Sequence, residues 1–253
     1  MLKISKVLQR RKQENGCLYC YAREMATRYG WSKDWNNVRI REEALRKSTP
    51  NFGEVVMFPS SHDITPNNLE HTVLFLHKIL KAGNQVLIVS KPNCDCIKRI
   101  CKEFKTYKNR ILFRFTISSN SDEVLKFWEP NAPSFNERLK SLKYAYKNGF
   151  QTSVSCEPML DNHIGKVIKK VETFVTETIW MGKVNRLLGK TGRGRLEFNG
   201  VLNDETRRKV EELNEWQNDE NMIELYNRFK NNRKIRWKES IKYVLKKNNL
   251  IKE

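Results

Sequence analysis

The sequence predicts an α/β fold, a partial (β/α)6, TIM-like barrel of parallel strands with a C-terminal helical extension. Short apolar runs bounded by turn or polar residues recur up to residue 185, as is typical of buried parallel strands. Amphipathic stretches lie between these runs, so strand and helix alternate at a spacing of roughly 30 residues, typical of βα units. An open doubly wound sheet is the alternative arrangement of the same units.

The strand predictions come from the apolar runs and the helix predictions from helical spacing of apolar residues. The predicted strands are 54–60, 85–92, 111–118, 151–160 and 177–185, with a candidate first strand near residues 2–8. The predicted helices are 68–83, 96–107 and 134–149. Gly83 and Gly149 are expected to end two of these helices, and Ser134 with Glu137 forms the pattern of a capping box.

The pattern changes after residue 186. The stretch LLGKTGRGRLEFNG combines glycines with basic residues and indicates a loop. Its letters resemble a phosphate-binding loop without the required spacing, so it is predicted to be a flexible basic loop that could contact phosphate or simply be solvated. Residues 203–253 are predicted as helices. We therefore divide the chain into a barrel, residues 1–190, and a basic loop with a helical extension, residues 191–253.

The composition bounds the class of protein. The net charge of +19 is spread over the chain rather than held in one tail, which favours nucleic acid as a partner; a lysine-rich compositional bias is the alternative. The sequence has neither a signal peptide nor an apolar run of the roughly 20 residues that span a bilayer. Six unevenly spaced cysteines do not form a disulfide framework. We predict a cytoplasmic protein with no membrane association.

Polar residues follow every predicted strand, which is where parallel α/β folds place their chemistry. The segments are PSSHD (59–63), SKP (90–92), TISS (116–119), SCEP (155–158) and GKVN (182–185). Since the carboxyl ends of parallel strands meet at one edge, these side chains are expected to face a polar ligand across the mouth of the barrel.

Near the start of the chain, Gly16-Cys17-Leu18-Tyr19-Cys20-Tyr21-Ala22 resembles the second half of the C-x-x-x-C-x-x-C cluster loop of radical S-adenosylmethionine enzymes. The segments FPSSHDITP, VSKP, FRFTISS, WEPNAP, TSVSCEPMLD and IWMGKVN resemble strand-end segments of the spore photoproduct lyase-like branch of that superfamily. The resemblance covers about residues 15–190, and IRWKES (235–240) is similar as well.

The resemblance implies a [4Fe–4S] cluster, S-adenosylmethionine as a second cofactor, cleavage of the latter to a 5′-deoxyadenosyl radical, and an electron donor protein as a partner. It assigns Cys17 and Cys20 to the metal and Tyr19 to the adenine. The remaining implied residues are Ser60 and Ser61 for the methionine amine, Lys91 and Ser118 for the carboxylate, and Ser155 and Glu157 near the sulfonium or ribose. Cys156 is the candidate catalytic residue, as a hydrogen-atom donor. The substrate is open and could be a nucleic acid.

The sequence departs from this family at one position. The first cysteine of the motif would stand at position 13, which is Gln13, and no cysteine precedes Cys17. Three thiolates normally hold such clusters. The third ligand could come from Cys94, Cys96 or Cys156, or the start of the sequence could be misplaced, or the protein could be a cluster-free nucleic-acid-binding protein on the same fold. A zinc site is a weaker alternative, since one C-x-x-C supplies two of four ligands.

Overall fold

The computed structural model describes residues 2–3, 14–30, 46–189 and 193–252 of the chain. For residues 2–3 it describes the backbone. Gln13, the position at which the cluster motif departs from its family, lies outside the described residues.

The described residues form one sheet of seven parallel strands whose order in space is their order in the chain. The strands are β1 Leu2–Lys3, β2 Val56–Met57, β3 Val86–Ser90, β4 Ile111–Thr116, β5 Gln151–Cys156, β6 Ile179–Met181 and β7 Ile235–Trp237. A doubly wound sheet would reverse its strand order at a switch point. Sequential order therefore excludes that alternative and confirms the partial barrel.

Helices connect the strands and form the C-terminal extension. Their bounds are α1 Tyr21–Arg28, α2 Leu69–Lys81, α3 Cys94–Glu103, α4 Asp122–Trp128, α5 Phe135–Lys147, α6 Ile164–Val171, α7 Arg195–Phe198, α8 Asp204–Trp216, α9 Asp219–Phe229 and α10 Glu239–Lys247. None of the described helices is long and apolar enough to cross a membrane.

The predicted cap at Ser134 and the two glycine helix ends are confirmed, but the Glu137 side chain accepts from Asn93 and Cys94 instead of completing the capping box. The Ser134 hydroxyl accepts a hydrogen bond from the Glu137 N–H at the start of α5. Gly83 and Gly149, just beyond α2 and α5, have φ angles of 86° and 76°, which glycine adopts without steric cost.

Two predictions in the connections and the tail need correction. The predicted all-helical tail contains β7, which pairs with β6 through Trp180 opposite Arg236. Three residues of alternating character give too weak a strand pattern to detect without the neighbouring strand. Cys94, predicted to lie in a loop, is the first residue of α3, because the Asn93 side chain caps that helix by accepting from the Cys96 N–H.

The two faces of the sheet differ in composition. Phe113, Phe115 and Val154 lie on one face and are fully buried in the hydrophobic core, against which α5 packs. On the other face, Arg114 lies opposite Ser153 and Trp180 opposite Arg236. We call this second face the inner face, since it lines the interior of the partial barrel. The polar residues that follow the strands lie at the carboxyl edge of the sheet.

Candidate functional site

The two cysteines of the C-x-x-C motif lie in a tight buried turn that leads into α1. The Cys20 N–H donates to the Cys17 carbonyl over 3.1 Å, and the Cys20 thiol accepts from the Arg23 N–H at the start of the helix, at 3.4 Å. Gly16, with φ of 63°, brings the turn close to Pro130 and Asn131, where a Cβ would lie 3.2 and 3.1 Å from their side chains. We call residues 14–20 the cysteine loop.

A buried ion pair lies beside this loop, at the carboxyl ends of β2 and β3. The Lys91 ammonium is 3.5 Å from the Asp63 carboxylate and 5.8 Å from the centre of the Tyr19 ring. Asp63 also accepts from the Lys91 N–H at 2.6 Å and from the Asn15 amide at 2.8 Å. Burial acts to lower the pKa of Lys91, but attraction to Asp63, together with smaller contributions from Glu129 and other neighbouring groups, keeps this pKa above its usual value.

A second buried ion pair holds the other side of the cysteine loop. The Tyr19 hydroxyl donates to Glu129, whose other oxygen accepts from Arg138. Both Glu129 and Arg138 are fully buried. The Leu18 N–H donates to the Trp128 carbonyl over 2.9 Å. The WEPNAP segment, residues 128–133, therefore fixes the cysteine loop through both side-chain and backbone contacts.

The carbonyl groups of the cysteine loop are bound by α7 and the residue that follows it. The Asn199 amide donates to the Leu18 and Cys20 carbonyls at 2.8 and 3.1 Å. Arg195 donates to the Tyr19 carbonyl at 3.3 Å and to the Glu24 carboxylate at 3.0 Å. The end of the stretch predicted to be a flexible basic loop is thus ordered against the site; of that stretch, residues 190–192 lie outside the described part of the chain.

Burial controls the ionisation of the thiols. It raises the pKa of Cys17 above its usual range, although Lys91 acts in the opposite direction. It also raises the pKa of Cys20, opposed by the hydrogen bond from Arg23. Both thiols are therefore protonated at neutral pH in the protein as described, and would lose their protons on binding a metal ion.

Several buried polar atoms at the carboxyl edge have no hydrogen-bond partner among the described residues. They include Ser60 Oγ and His62 Nδ1 after β2, and Ser118 Oγ and Asn120 Oδ1 after β4. Buried polar groups are nearly always paired, so each such atom requires an explanation. Ser60 and Ser118 are two of the residues for which the resemblance implies contact with S-adenosylmethionine. A polar ligand at this edge would satisfy these atoms.

The other implied cofactor residues lie at the same edge. Ser61 follows β2 and is partly buried. Ser155 lies opposite Trp180 on the inner face. Glu157 follows β5 and forms an ion pair with Lys238 at 2.8 Å. The sheet thus brings together the strand ends that carry Ser60, Ser61, Lys91, Ser118, Ser155 and Glu157, although no contact among the described residues tests their roles.

The prediction that Cys156 faces the mouth of the barrel is wrong. Cys156 follows Ser155 in β5 and lies opposite Met181 of β6, on the core face with Val154. It is fully buried in the hydrophobic core, and burial raises its pKa to about 12. The alternation of side chains along a strand explains this outcome, since neighbours point to opposite faces. Its role as a hydrogen-atom donor stays a prediction.

The described residues do not complete the donor set of a [4Fe–4S] cluster. Cys17 and Cys20 supply two thiols, whereas three thiolates are required. No group of three or more His, Cys, Asp or Glu side chains in residues 14–30, 46–189 and 193–252 is arranged to hold a metal ion. Cys94, Cys96 and Cys156, the proposed third ligands, therefore do not join the pair. Gln13 lies outside the described residues, so this statement does not extend to it.

Sequence reasoning missed the residues that hold the cysteine loop. Asp63 stands in the strand-end segment PSSHD, and its carboxylate binds Lys91 and Asn15. Glu129 stands in WEPNAP and Arg138 in the predicted helix 134–149, and neither was identified as a site residue. A glutamate between tryptophan and proline is a weak signal by itself. The pairing of Glu129 with a residue nine positions later appears only when α4 and α5 are in place.

Comparisons with known proteins give distant similarities. No family model matches the chain. An uncharacterized protein of Methanocaldococcus jannaschii, MJ0683, is 28% identical over 167 residues, which cover 64% of this chain and 61% of that protein. The chain therefore spans less than two thirds of the length of that curated relative.

Two solved structures of spore photoproduct lyase are similar in fold. One, complexed with dinucleoside spore photoproduct, has a TM-score of 0.46 and 15% identity. The other is a cysteine-to-alanine variant with the same ligand, with a TM-score of 0.44 and 14% identity. Each match covers 78% of this chain and 68% of the other. At these identities, an activity has to be argued from the residues of this chain.

Proposed function

We propose that this chain is a radical S-adenosylmethionine-type protein that binds S-adenosylmethionine at the carboxyl ends of β2–β5, next to the cysteine loop. One observation carries the proposal. The buried, unpartnered hydroxyls of Ser60 and Ser118 lie at the same edge of the sheet as the buried Lys91 ammonium and the C-x-x-C turn. The sequence resemblance assigned these residues to one cofactor.

The chemistry of these residues suits that cofactor. S-adenosylmethionine carries a carboxylate, an ammonium group, a sulfonium and an adenine ring. Lys91 offers a point charge for the carboxylate, and Ser118 an additional hydroxyl donor. Lys91 would exchange part of its interaction with Asp63 for the ligand, as a buried ammonium must keep an anionic partner. Small serines at the strand ends leave space for the ligand.

In its full form the proposal includes a [4Fe–4S] cluster on Cys17 and Cys20. Such a cluster, when bound and reduced by an electron donor protein, supplies the electron that cleaves S-adenosylmethionine to methionine and a 5′-deoxyadenosyl radical. The described residues lack its third thiolate, so binding of S-adenosylmethionine and binding of iron are separate claims. The identity of the substrate, for which a nucleic acid is one candidate, is a third separate claim.

The first test measures S-adenosylmethionine binding by calorimetry on the purified chain, before and after anaerobic reconstitution with iron and sulfide. We expect Lys91→Met and Ser118→Ala to weaken binding. Lys98→Met is the matched control, because Lys98 lies on the exposed side of α3 and pairs with Asp95. Absence of binding in both forms of the folded protein would refute the proposal. Equal loss in the Lys98 control would also refute it.

The second test addresses the cluster. Iron and sulfide counting, with EPR of the reduced protein, should give a four-iron signal that changes when S-adenosylmethionine is added. Loss of this signal in Cys17→Ala and Cys20→Ala, with retention in Cys101→Ala, would place the cluster on the cysteine loop. A folded protein that binds S-adenosylmethionine without iron would restrict the function to cofactor binding.

A second candidate function is a cluster-free nucleic-acid-binding protein on the same fold. It is favoured by the two-thiol donor set and the net charge of +19. It predicts that binding of single- or double-stranded nucleic acid weakens steeply and linearly on a plot of log affinity against log salt concentration. Binding that does not respond to salt would exclude it.

A further inference from the structure

The guanidinium group of Arg114 lies on the inner face of the sheet, where Glu157 attracts it electrostatically but no carboxylate of the described residues forms an ion pair or hydrogen bond with it. Its Nε donates to the Ser153 hydroxyl at 3.2 Å, and no bond from its two terminal nitrogens is found within the described residues. The side chain is partly buried, and burial lowers the pKa of Arg114. A cation in such a position usually has a bonded carboxylate, because burying an unpaired charge is costly.

A second cation, Lys238 just after β7, also contacts the Trp180 ring. The guanidinium carbon of Arg114 lies 5.2 Å from the centre of the Trp180 ring, and the Lys238 ammonium lies 5.1 Å from it. Arg114 and Lys238 therefore both contact the Trp180 indole. Lys238 is paired with Glu157. Two cations and one carboxylate leave this cluster with a positive charge.

The cluster contains a further unsatisfied donor. The Trp180 indole Nε1 is buried and has no hydrogen-bond partner in the described parts of the chain. An indole N–H usually finds an acceptor when it is buried. Arg114 and Trp180 thus provide donors that the acceptors among the described residues do not fully satisfy, and Lys238, paired with Glu157, adds a second cation to the cluster.

Gly182 allows these groups to approach one another. A Cβ at this position would lie 3.0 Å from the Glu157 side chain and 3.1 Å from that of Lys238. A side chain at position 182, just after β6, would therefore crowd the Glu157 and Lys238 side chains where they pair. The glycine that follows β6 thus leaves room for the cluster of Arg114, Lys238 and Trp180.

We propose that Arg114, Lys238 and Trp180 form an oxyanion subsite that holds a phosphate group of the substrate inside the partial barrel. The fork of the guanidinium matches two phosphate oxygens, and the ammonium and indole N–H supply donors for a third. The broad positive charge of the chain favours a phosphorylated ligand. The inference rests on the proposed function in so far as this phosphate belongs to a substrate that reaches the S-adenosylmethionine site.

The test measures equilibrium binding to the full chain by intrinsic tryptophan fluorescence, without iron or S-adenosylmethionine. Its outcome is therefore independent of the outcome for cofactor binding. The probes are inorganic phosphate, adenosine 5′-monophosphate, adenosine and a short single-stranded oligonucleotide. Adenosine controls for base binding. The mononucleotide and the oligonucleotide distinguish a small phosphorylated substrate from a nucleic acid.

We expect Arg114→Gln to weaken binding of adenosine 5′-monophosphate by about tenfold or more, since hydrogen bonds to charged groups are stronger than neutral ones. Arg114→Lys, which retains the charge but loses the fork, should give an intermediate loss. Arg207→Gln is the matched control, because Arg207 is an exposed arginine of α8, and it should change binding less than twofold. Trp180→Phe should reduce binding and the fluorescence change together.

Three results would overturn the subsite. The first is that none of the phosphorylated probes binds to the folded chain. The second is that Arg114→Gln and Arg207→Gln weaken binding equally, which would indicate a general surface charge effect. The third is that succinate competes as well as phosphate, which would indicate a carboxylate subsite. Thermal unfolding of each variant establishes that it is folded, and Arg114→Lys keeps the test valid where Arg114→Gln does not fold.

Discussion

The Lys91 ammonium and the Asp63 carboxylate lie 3.5 Å apart, and each side chain is only 8% exposed. The pair joins the carboxyl ends of β2 and β3 and lies against the Tyr19 ring. A buried charge that loses its partner is strongly destabilising. Asp63 therefore holds Lys91, which we propose to bind the cofactor. The contribution of Asp63 to the stability of the fold can be measured without any cofactor.

Replacing Asp63 should destabilise the fold. We expect Asp63→Asn to lower the free energy of unfolding by about 3 kcal/mol, because it leaves the Lys91 ammonium buried without a counterion. Urea denaturation provides the measurement. Asp95→Asn is the control, since Asp95 pairs with Lys98 at an exposed position where ion pairs contribute little. An equal effect of the two variants would contradict the role assigned to Asp63.

Stability should fall in mild acid because of His62. Burial lowers the pKa of His62 to about 4, so the unfolded chain, with a pKa near 6.5, binds this proton more readily than the folded chain. The stabilising contribution of His62 is present above pH 6.5 and is lost as the pH falls from there towards 4, by about 3 kcal/mol.

Unfolding by urea at several pH values measures this dependence, and His62→Gln should reduce it. The control variant is His163→Gln, which changes a histidine just before α6. A pH dependence that is the same in the His62 variant and the native sequence would show that other groups cause it.

Thiol reactivity should distinguish Cys94 from the other five cysteines. Burial raises the pKa of Cys96, Cys101 and Cys156 to about 12, and the thiolate is the reactive form. Cys94 is partly exposed. We expect one fast-reacting thiol per folded chain with a disulfide reagent at pH 8, and none in Cys94→Ser. Two or more fast thiols would contradict the buried positions.

Weakening the Glu129 pair should release the cysteine loop. Glu129→Gln removes the counterion of buried Arg138 and a charged acceptor for the Tyr19 hydroxyl. We expect Cys17 and Cys20 to become reactive in addition to Cys94, so that three thiols react in the folded protein. Glu103→Gln is the control, since it changes a partly exposed carboxylate of α3 that pairs with Arg99 and His77 rather than with the cysteine loop. Mass spectrometry of the modified chain identifies the cysteines, and an unchanged pattern would contradict the link.

Much of the barrel was predictable because its signals are local. β3 and most of β4 are apolar runs, and Gly83 and Gly149 mark helix ends by conformations that glycine adopts readily. The alternation of strands and helices predicted a parallel sheet but left its strand order open between a barrel and a doubly wound sheet. β7 was missed because three residues acquire a strand conformation only by pairing with β6.

The sequence by itself determined the parallel α/β fold, the polar strand ends and the C-x-x-C turn, since these depend on periodicity and on residue type. The tertiary structure alone decided which side chains meet. It paired Lys91 with Asp63, bound the cysteine loop to Glu129 and Asn199, buried Cys156 in the core, and placed Arg114 beside Trp180 with no carboxylate of the described residues bonded to it. Such contacts join residues far apart in the chain, so their energies depend on the arrangement of strands and not on the local sequence.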